Sequence, residues 1–293
     1  MSMLDDAKTP STDEIERIRR KALYSREETI RLISIAKVGH YASSFSCAEI
    51  LATLYYGHMR LRRGEPDWPE RDRFLFGKGH AAAALYPILA DYEFFPAEWL
   101  DEYTRLGNPF GDHPDMRRIP GIDFSSGSIG HALSAGLGMV LGGRIQNLDY
   151  NVYVLLGDGE LHEGQVWEAA MSAAHHKAGN LVAIVDRNEY SLDGRVEEVI
   201  GTEPILSKWQ AFGWEAHEVD GHDPEQLLTA LRTVTGVEDR EQPAVIVAHT
   251  VKGKGISYME ESFGWHLGYL GAEDERDAVE ELRRGAELER RNS

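Results

Sequence analysis

The stretch of residues 152–194 restricts the possible folds of this chain more than any other. Residues 152–156 form a short apolar run with the composition of a buried parallel strand. A helical pattern follows at about residues 165–177, and a second apolar run covers residues 181–185. This order predicts a β-α-β unit. Open sheets built from such units bind their ligands outside the carboxyl ends of the strands.

Oxygen-bearing side chains follow both strands of this unit. Asp158 stands between Gly157 and Gly159 at the end of the first strand, and Asn188 follows the second. Carboxylate and amide oxygens suit Mg2+, which often shares its octahedron with substrate phosphates. Glycines leave the backbone open to a ligand. The segment around Asp158 or the segment around Asn188 alone would be interpreted as an ordinary turn or loop. Together they predict a site for Mg2+ or another divalent cation.

Composition narrows the class of protein. With 293 residues, 42% of them hydrophobic, the chain can bury a sizeable core. A net charge of -18 argues against nucleic acid and anionic membranes as partners. Cys47 is the single cysteine, which excludes an internal disulfide framework and fits a reducing compartment. Because the sequence also has no apolar run of transmembrane length and no signal-peptide pattern, we expect a cytoplasmic protein.

The remaining patterns complete the expected fold. Strands are predicted near residues 74–76, 152–156, 181–185, 215–219 and 244–248. Helices are predicted near residues 15–38, 46–56, 81–90, 165–177, 205–212 and 225–234, with another ending near residue 147. We therefore expect residues 1–293 to form one doubly wound α/β domain with a mostly parallel sheet and helices on both faces. A loose tail (1–12), a loop over the site (195–202) and a charged C-terminal helix (271–293) complete this expectation.

Residues 157–194, which read GDGELHEG…N…DG, resemble the thiamine diphosphate motif, and their surroundings resemble transketolase. The resemblance runs over about residues 24–266. It implies the diphosphate-binding fold of that family, thiamine diphosphate as cofactor, and transfer of a two-carbon ketol unit from a ketose to an aldose. It also implies that Asp158, Asn188 and the backbone carbonyl of Tyr190 hold Mg2+.

Four histidines of this chain match the histidines that line the substrate channel of the same family. They are His40 in GHYASS, His80 in KGH, His113 in HPD and His266 in WH. The resemblance implies that they handle protons and hydroxyl groups of the substrate, and that His80 also contacts the diphosphate. A histidine beside a helix or in a loop is otherwise more often a capping or surface residue.

Further cofactor contacts follow from the resemblance. They are Gly127, Ser128 and Ile129 in a glycine-rich loop, Gly157 and Gly159 beside Asp158, and the acidic residues Glu160 and Glu163. Glu163 aligns with a glutamate that meets its counterpart across the subunit interface of transketolases. Helix capping is the alternative role for both glutamates, and we interpret His162 as structural.

Five positions depart from the family pattern. Tyr41 and Ala42 stand in place of a proline and a glycine, and Asp112, Ala132 and Leu267 each stand in place of a glycine. Tyr41 and Leu267 belong to loops expected to face the substrate. The sequence therefore does not identify the sugar, and it leaves a specialised sugar pathway open.

The end of the sequence leads to an expectation about partners. In transketolases a glutamate from a second α/β domain protonates the aminopyrimidine ring of the cofactor. This chain ends at Ser293, soon after the last predicted strand, with too few residues for such a domain. We therefore expect one subunit of a split transketolase, acting on sugars or sugar phosphates in an α2β2 assembly. Its partner would be a separate C-terminal subunit carrying the pyrimidine-binding domain.

Two alternatives remain at this point. The first is the α subunit of another thiamine diphosphate enzyme, such as a 2-oxo acid dehydrogenase. It would share Asp158 and Asn188, but it would not be expected to carry the GHYASS, KGH and WH segments together. The second is a binding module that kept the fold without catalysis, and the intact metal motif argues against it.

Overall fold

The structure, a computed structural model, describes residues 9–237 and 239–292. Its centre is a five-stranded sheet. The strands are β1 (Arg73–Phe76), β2 (Val152–Gly157), β3 (Leu181–Arg187), β4 (Glu215–Asp220) and β5 (Ala244–His249). Neighbouring strands are all parallel, in the order β1-β2-β3-β5-β4. The predicted strands are thus confirmed, and their carboxyl ends share one edge.

Helices precede and connect these strands. Their bounds are α1 Thr12–Ala36, α2 Tyr41–Ser46, α3 Ala48–Thr53, α4 Ala82–Asp91, α5 Ala132–Gln146, α6 Gly164–His175, α7 Val196–Val199, α8 Ile205–Ala211, α9 Pro224–Thr235 and α10 Ala272–Asn292. Short 3-10 turns lie at Gly79–Ala81, Ala97–Glu102, Gly159–His162 and Phe263–Trp265, and a π-helical turn lies at Leu54–His58. Within the described ranges, no helix combines the length and the apolar character needed to cross a bilayer.

The strands turn alternate side chains to the two faces of the sheet. On one face Tyr153 and Val182 join a buried cluster that includes residues of α1, α3, α4 and α9. On the other face Val154 and Ala183 join a cluster with α5, α6 and α8. Because both faces are covered, the strands read as continuous apolar runs. The expected doubly wound α/β fold is confirmed.

The two ends of the chain were predicted with different success. Ser11 caps α1, since the Glu14 N–H donates to its hydroxyl at 3.3 Å and the Ser11 N–H donates to the Glu14 carboxylate at 2.9 Å. The helix therefore begins at Thr12, directly after this cap. Residues 1–8 of the predicted loose tail lie outside the described residues. The charged C-terminal helix is present as α10.

No helix was predicted between residues 38 and 46, and this was wrong for most of that polar segment. Residues 41–46 form α2, and every side chain in this helix is buried. Tyr41 and Phe45 pack into the core, while the Ser44 hydroxyl donates to the His40 carbonyl at 2.7 Å. Such bonds from serine to the preceding turn satisfy the polar groups inside a buried helix. The expectation that Tyr41 lies on a substrate-facing surface is corrected accordingly.

We predict opposite effects of alanine at two glycines of α5. A Cβ at Gly136 would lie 2.8 Å from Cγ2 of Val154, whereas a Cβ at Gly138 has no neighbour within 4 Å. Gly136→Ala should therefore lower the free energy of unfolding by about 1–3 kcal/mol, because it overpacks the contact between helix and sheet. Gly138→Ala should raise that free energy by roughly 0.5–1 kcal/mol, because alanine favours the helix. Urea unfolding measures both, and equal effects would show that α5 does not pack tightly on the sheet.

Candidate active site

A cavity of about 420 Å³ lies at the carboxyl edge of the sheet. Its volume falls within the roughly 300–1,000 Å³ of small-molecule sites. Most of the predicted site residues line it, namely His40, His80, Gly127, Ile129, Gly157, Asp158, Gly159, Glu160, Glu163, Asn188, Tyr190 and His266. His113 and Ser128 are not among the lining residues. The fold thus brings together residues from the ends of three strands and from three further loops.

The predicted metal ligands lie on two loops that are hydrogen-bonded to each other. Asp158, which is 2% exposed, accepts the N–H of Gly159 at 2.8 Å and the N–H of Glu189 at 2.5 Å. The Asn188 side-chain carbonyl accepts the N–H of Tyr190 at 3.2 Å. The carboxylate at the end of β2 therefore adjoins the chain segment that carries the amide and the Tyr190 carbonyl.

Burial, followed by the negative charge of Asp186, raises the pKa of Asp158 to about 7. A divalent cation would favour the ionised carboxylate again, because metal ligands bind in their deprotonated form. Across the described parts of the chain, no three His, Cys, Asp or Glu side chains gather into a metal cluster. A cation at Asp158 would therefore depend on amide, carbonyl and ligand oxygens, which is the donor set that Mg2+ uses.

An ion pair that the sequence did not reveal lies beneath the cavity. The ammonium of Lys78 contacts the carboxylate of Asp186, and it also donates to the Ser43 carbonyl at 2.9 Å. Ser46 and Thr250 donate their hydroxyls to the same carboxylate. Burial raises the pKa of Asp186, but the charge of Lys78 and the hydrogen bonds from Lys78, Thr250 and Ser46 together keep the pKa below its ordinary value. The one signal in the sequence was a lysine between two glycines at a strand end.

A second lysine faces the predicted metal site without an anionic partner. Lys252, 1% exposed, donates to the carbonyls of Tyr190 at 3.3 Å and Ser191 at 3.0 Å, and it lies 3.1 Å from Nδ1 of His266. In the part of the chain that is described, no carboxylate forms an ion pair with it. Burial, followed by the charge of Lys78, lowers its pKa to about 8. A buried ammonium whose hydrogen-bond partners are all neutral is a group that an anionic ligand such as a diphosphate would stabilise.

The four predicted histidines come together although they derive from four separate segments. Ring centroids of His40 lie 5.1 Å from His80, 5.3 Å from His266 and 6.2 Å from His113. Burial lowers the pKa of His80 and His113, and it lowers that of His266 to about 3. These three imidazoles are therefore neutral near pH 7. A carboxylate oxygen of Asp112 lies 3.2 Å from Nδ1 of His40. Asp112, which stands in place of a glycine of the family, therefore contacts the histidine cluster.

The glycine-rich loop is held by Glu160, which lies deep in the cavity wall. Its carboxylate accepts the N–H of Gly130 at 2.8 Å and the N–H of Gly157 at 3.1 Å. Gly130 has φ +90°, a conformation that favours glycine. A Cβ at Gly79 would lie 2.6 Å from the Ser126 hydroxyl, which is buried without a hydrogen-bond partner in the described structure. The loop is thus held in place by Glu160 and by close packing on Gly79, with Gly127 and Ile129 at the cavity.

The segment expected to be a loop over the site contains a short helix, α7, so that prediction was wrong in part. Val196 is buried, and its N–H donates to the Glu189 carbonyl at 2.9 Å. Nε2 of His162 lies 2.8 Å from the Ile200 carbonyl, so this histidine has the structural role that we expected. It also lines the cavity beside Val199. Leu192, Val199 and Ile200 are 63%, 41% and 58% exposed and form an apolar rim.

The chain matches the family described as "Transketolase, thiamine diphosphate binding domain" over residues 19–288. It is 37% identical over 281 residues to an apulose-4-phosphate transketolase subunit of Phocaeicola vulgatus, covering 96% of this chain and 99% of that protein. It is 39% identical over 265 residues to a 6-deoxy-6-sulfo-D-fructose transketolase subunit of a Clostridium species, covering 90% and 96%.

Solved structures agree with these matches. The transketolase of Campylobacter jejuni has a TM-score of 0.83 and 26% identity to this chain, covering 94% of it and 43% of the Campylobacter chain. The present chain therefore spans less than half the length of that transketolase. The matches do not favour the 2-oxo acid dehydrogenase alternative.

We predict that removal of Lys78 destabilises the fold strongly. Lys78→Met leaves the Asp186 carboxylate buried and unpaired, which should lower the free energy of unfolding by about 3–5 kcal/mol. The double variant with Asp186→Asn should recover much of this loss, because no charge then remains uncompensated. Lys177→Met is the control, since the pair of Lys177 with Glu241 is exposed and should contribute less than about 1 kcal/mol. Equal losses at both lysines in urea unfolding would contradict the prediction.

Proposed function

The chain belongs to the transketolase family, and we propose that it is the diphosphate-binding subunit of a split transketolase. In this proposal it transfers a two-carbon ketol unit from a ketose to an aldose, acting on sugars or sugar phosphates together with a separate polypeptide. The observation that carries the proposal is the content of one cavity. Oxygen ligands line one part of it, where the buried ammonium of Lys252 donates to the carbonyl of the lining residue Tyr190, and a cluster of histidines lines another part.

The cofactor of the proposed enzyme is thiamine diphosphate held through Mg2+. Asp158, Asn188 and the Tyr190 carbonyl would coordinate the metal, and Lys252 would bring positive charge to the diphosphate. The backbone of residues 127–130 would line the other side, held by Glu160. The bound cofactor supplies the nucleophilic carbon and the electron sink for breaking and forming the carbon–carbon bond. The protein supplies binding, orientation and charge.

The histidines act on the sugar in this proposal. Because His80 is neutral near pH 7, it can donate one hydrogen bond and accept another, whereas His266, whose Nδ1 accepts from the Lys252 ammonium, can donate from Nε2. A neutral imidazole is suited to hydroxyl and carbonyl oxygens, and it can accept a proton in a transition state. His40 would be oriented by Asp112, which lies next to its Nδ1. The cluster would thus bind the sugar chain and exchange protons with its hydroxyl groups.

The proposed partner is a subunit that carries the pyrimidine-binding domain, in an α2β2 assembly. Relatives called transketolase subunits match this chain over 96–99% of their own length. The exposed apolar rim of Leu192, Val199 and Ile200 beside the cavity supports a contact there, because such patches mark interaction surfaces. Exposed Glu163, at the start of α6, is proposed to face a subunit interface. Obligate interfaces usually bury roughly 2,000 Å² or more.

We predict that Asp158→Asn removes Mg2+-dependent binding of thiamine diphosphate. The change keeps the size of the side chain but removes the one full negative charge of the proposed ligand set. Loss of a residue that only supports a ligand costs about 10–100-fold in affinity, so loss of the ligand itself should cost more than about 100-fold. Calorimetric titration with and without Mg2+ measures the change. Asp149→Asn, at an exposed position before β2 and away from the cavity, should leave the affinity unaltered; wild-type affinity in Asp158→Asn would refute the metal site.

We also predict that turnover requires a second polypeptide. The purified chain, given Mg2+ and thiamine diphosphate, should show no ketol transfer, because one part of the proposed site would be open to solvent. Addition of a pyrimidine-binding subunit should restore transfer, and analytical ultracentrifugation should then give the mass of an α2β2 complex. The assay would cover a panel of ketose donors and aldehyde acceptors. Ketol transfer at enzymatic rates by the chain alone would overturn the split-enzyme proposal.

A further inference from the structure

A chain of buried polar groups lies behind the candidate active site. The Arg26 guanidinium in α1 donates to the Glu49 carboxylate in α3, with Nη2 and Oε2 2.6 Å apart. Oε2 of Glu49 lies 2.8 Å from Nδ1 of His222, in the turn after β4. Nε2 of His222 accepts the backbone N–H of Val251 at 2.8 Å. Arg26 and Glu49 are only 7% and 8% exposed. This series of hydrogen-bonded groups therefore connects two helices to the segment that follows β5.

The bonding pattern assigns the tautomer of His222. A backbone N–H can only donate, so Nε2 carries no proton and accepts from Val251. The ring proton then lies on Nδ1 and is donated to Glu49, which accepts both this bond and those of Arg26. A carboxylate that fixes the orientation and tautomer of a histidine in this way usually serves the group on the other ring nitrogen. Here that group is the backbone of Val251.

The geometry of the turn after β4 does not explain why residue 222 is a histidine. In the segment Asp220-Gly221-His222-Asp223, Asp220 accepts the N–H of His222 at 2.8 Å, and Asp223 caps α9 by accepting the N–H of Glu225 at 2.9 Å. Both aspartates therefore have local roles in turn geometry. The His222 ring makes no contribution to them, since its two nitrogens bond to α3 and to the segment after β5.

Val251 immediately precedes Lys252, whose ammonium reaches the carbonyls of Tyr190 and Ser191. Three N–H groups of this segment bond to other parts of the chain. Thr250 donates to the Arg187 carbonyl at 3.0 Å, Gly253 donates to the Ala42 carbonyl at 3.0 Å, and Val251 donates to His222. Of these three bonds, only that of Val251 is made to a side chain. The position of the Lys252 backbone thus depends on the identity of residue 222.

We propose that His222 is a positioning residue, which accepts the Val251 N–H and thereby holds Lys252 against the loop of residues 188–191. The proposal rests on the proposed function in one respect, namely that Lys252 meets the diphosphate. Loss of the acceptor frees the Val251 amide and lets the lysine move away from the cavity. His222 itself touches neither the cofactor nor the substrate in this arrangement.

Two substitutions separate positioning from a general structural role. Gln places an amide carbonyl at about the reach of Nε2, so His222→Gln keeps an acceptor for Val251 but loses the donor to Glu49. Asn places its amide at about the reach of Nδ1, so His222→Asn keeps the donor to Glu49 but loses the acceptor. If His222 had only a structural role, both variants would lower the unfolding free energy and the cofactor affinity to the same extent. His217→Asn is the matched control in β4, because His217 bonds to Glu215 and makes no contact with the segment after β5 in the described structure.

The experiment uses the full chain and two measurements beside urea unfolding. Hydrogen exchange of a peptide spanning residues 249–256 reports the Val251 amide without any ligand, and calorimetry with Mg2+ and thiamine diphosphate reports cofactor affinity. We expect faster exchange in His222→Asn and a loss of affinity on the order of 10–100-fold. In His222→Gln and His217→Asn we expect exchange and affinity near those of the wild type.

The outcomes distinguish this proposal from the proposed function. If the wild-type chain does not bind the cofactor, the proposed function fails, while the exchange measurement still tests the anchor at Val251. If the wild type binds and His222→Asn binds equally well, or if its exchange is unchanged, the positioning role is overturned. Equal losses of affinity in the Gln and Asn variants, in parallel with lost unfolding free energy, would also overturn it.

Discussion

The ion pair of Lys78 and Asp186 joins the loops that build the candidate active site. Lys78 follows β1 and Asp186 lies in β3, while Ser46 of α2 and Thr250 after β5 bond to the same carboxylate. Removing two charges from water costs several kcal/mol per ion, so such a pair persists where further hydrogen bonds satisfy both partners. The serines and Thr250 provide these bonds. The relative positions of four segments, namely the turn after β1, α2, β3 and the segment after β5, are therefore coupled through one buried carboxylate.

Burial of charge also sets the protonation states around the cavity. It raises the pKa of Asp158, lowers that of Lys252 and keeps His80 and His266 neutral. In the proposed complex a divalent cation would compensate Asp158, and the diphosphate would compensate Lys252. The protein without ligand thus carries two incompletely compensated groups, which a metal and an anion would satisfy together. The histidines need no such compensation and remain available to a neutral sugar.

The β-α-β unit and its polar ends could be predicted because their signals are local. An apolar run shows a buried strand, and parallel strands necessarily present their carboxyl ends at one edge, which places Asp158 near Asn188. The lysines were harder to predict. Lysine is usually exposed, and whether Lys78 or Lys252 is buried depends on partners from other strands. The histidines were grouped by resemblance to a family, since no periodicity connects four segments so far apart in sequence.

The sequence by itself determined the kinds of element, their order and the edge at which ligand groups gather, because apolar periodicity and strand-end chemistry are properties of neighbouring residues. Only the tertiary structure decided the strand order, in which β5 lies beside β3 and brings Lys252 to Tyr190. It also decided that Tyr41 is buried and that His222 bonds to Glu49 and Val251. These features depend on contacts between segments distant in sequence, and such contacts form only when the helices pack on both faces of the sheet.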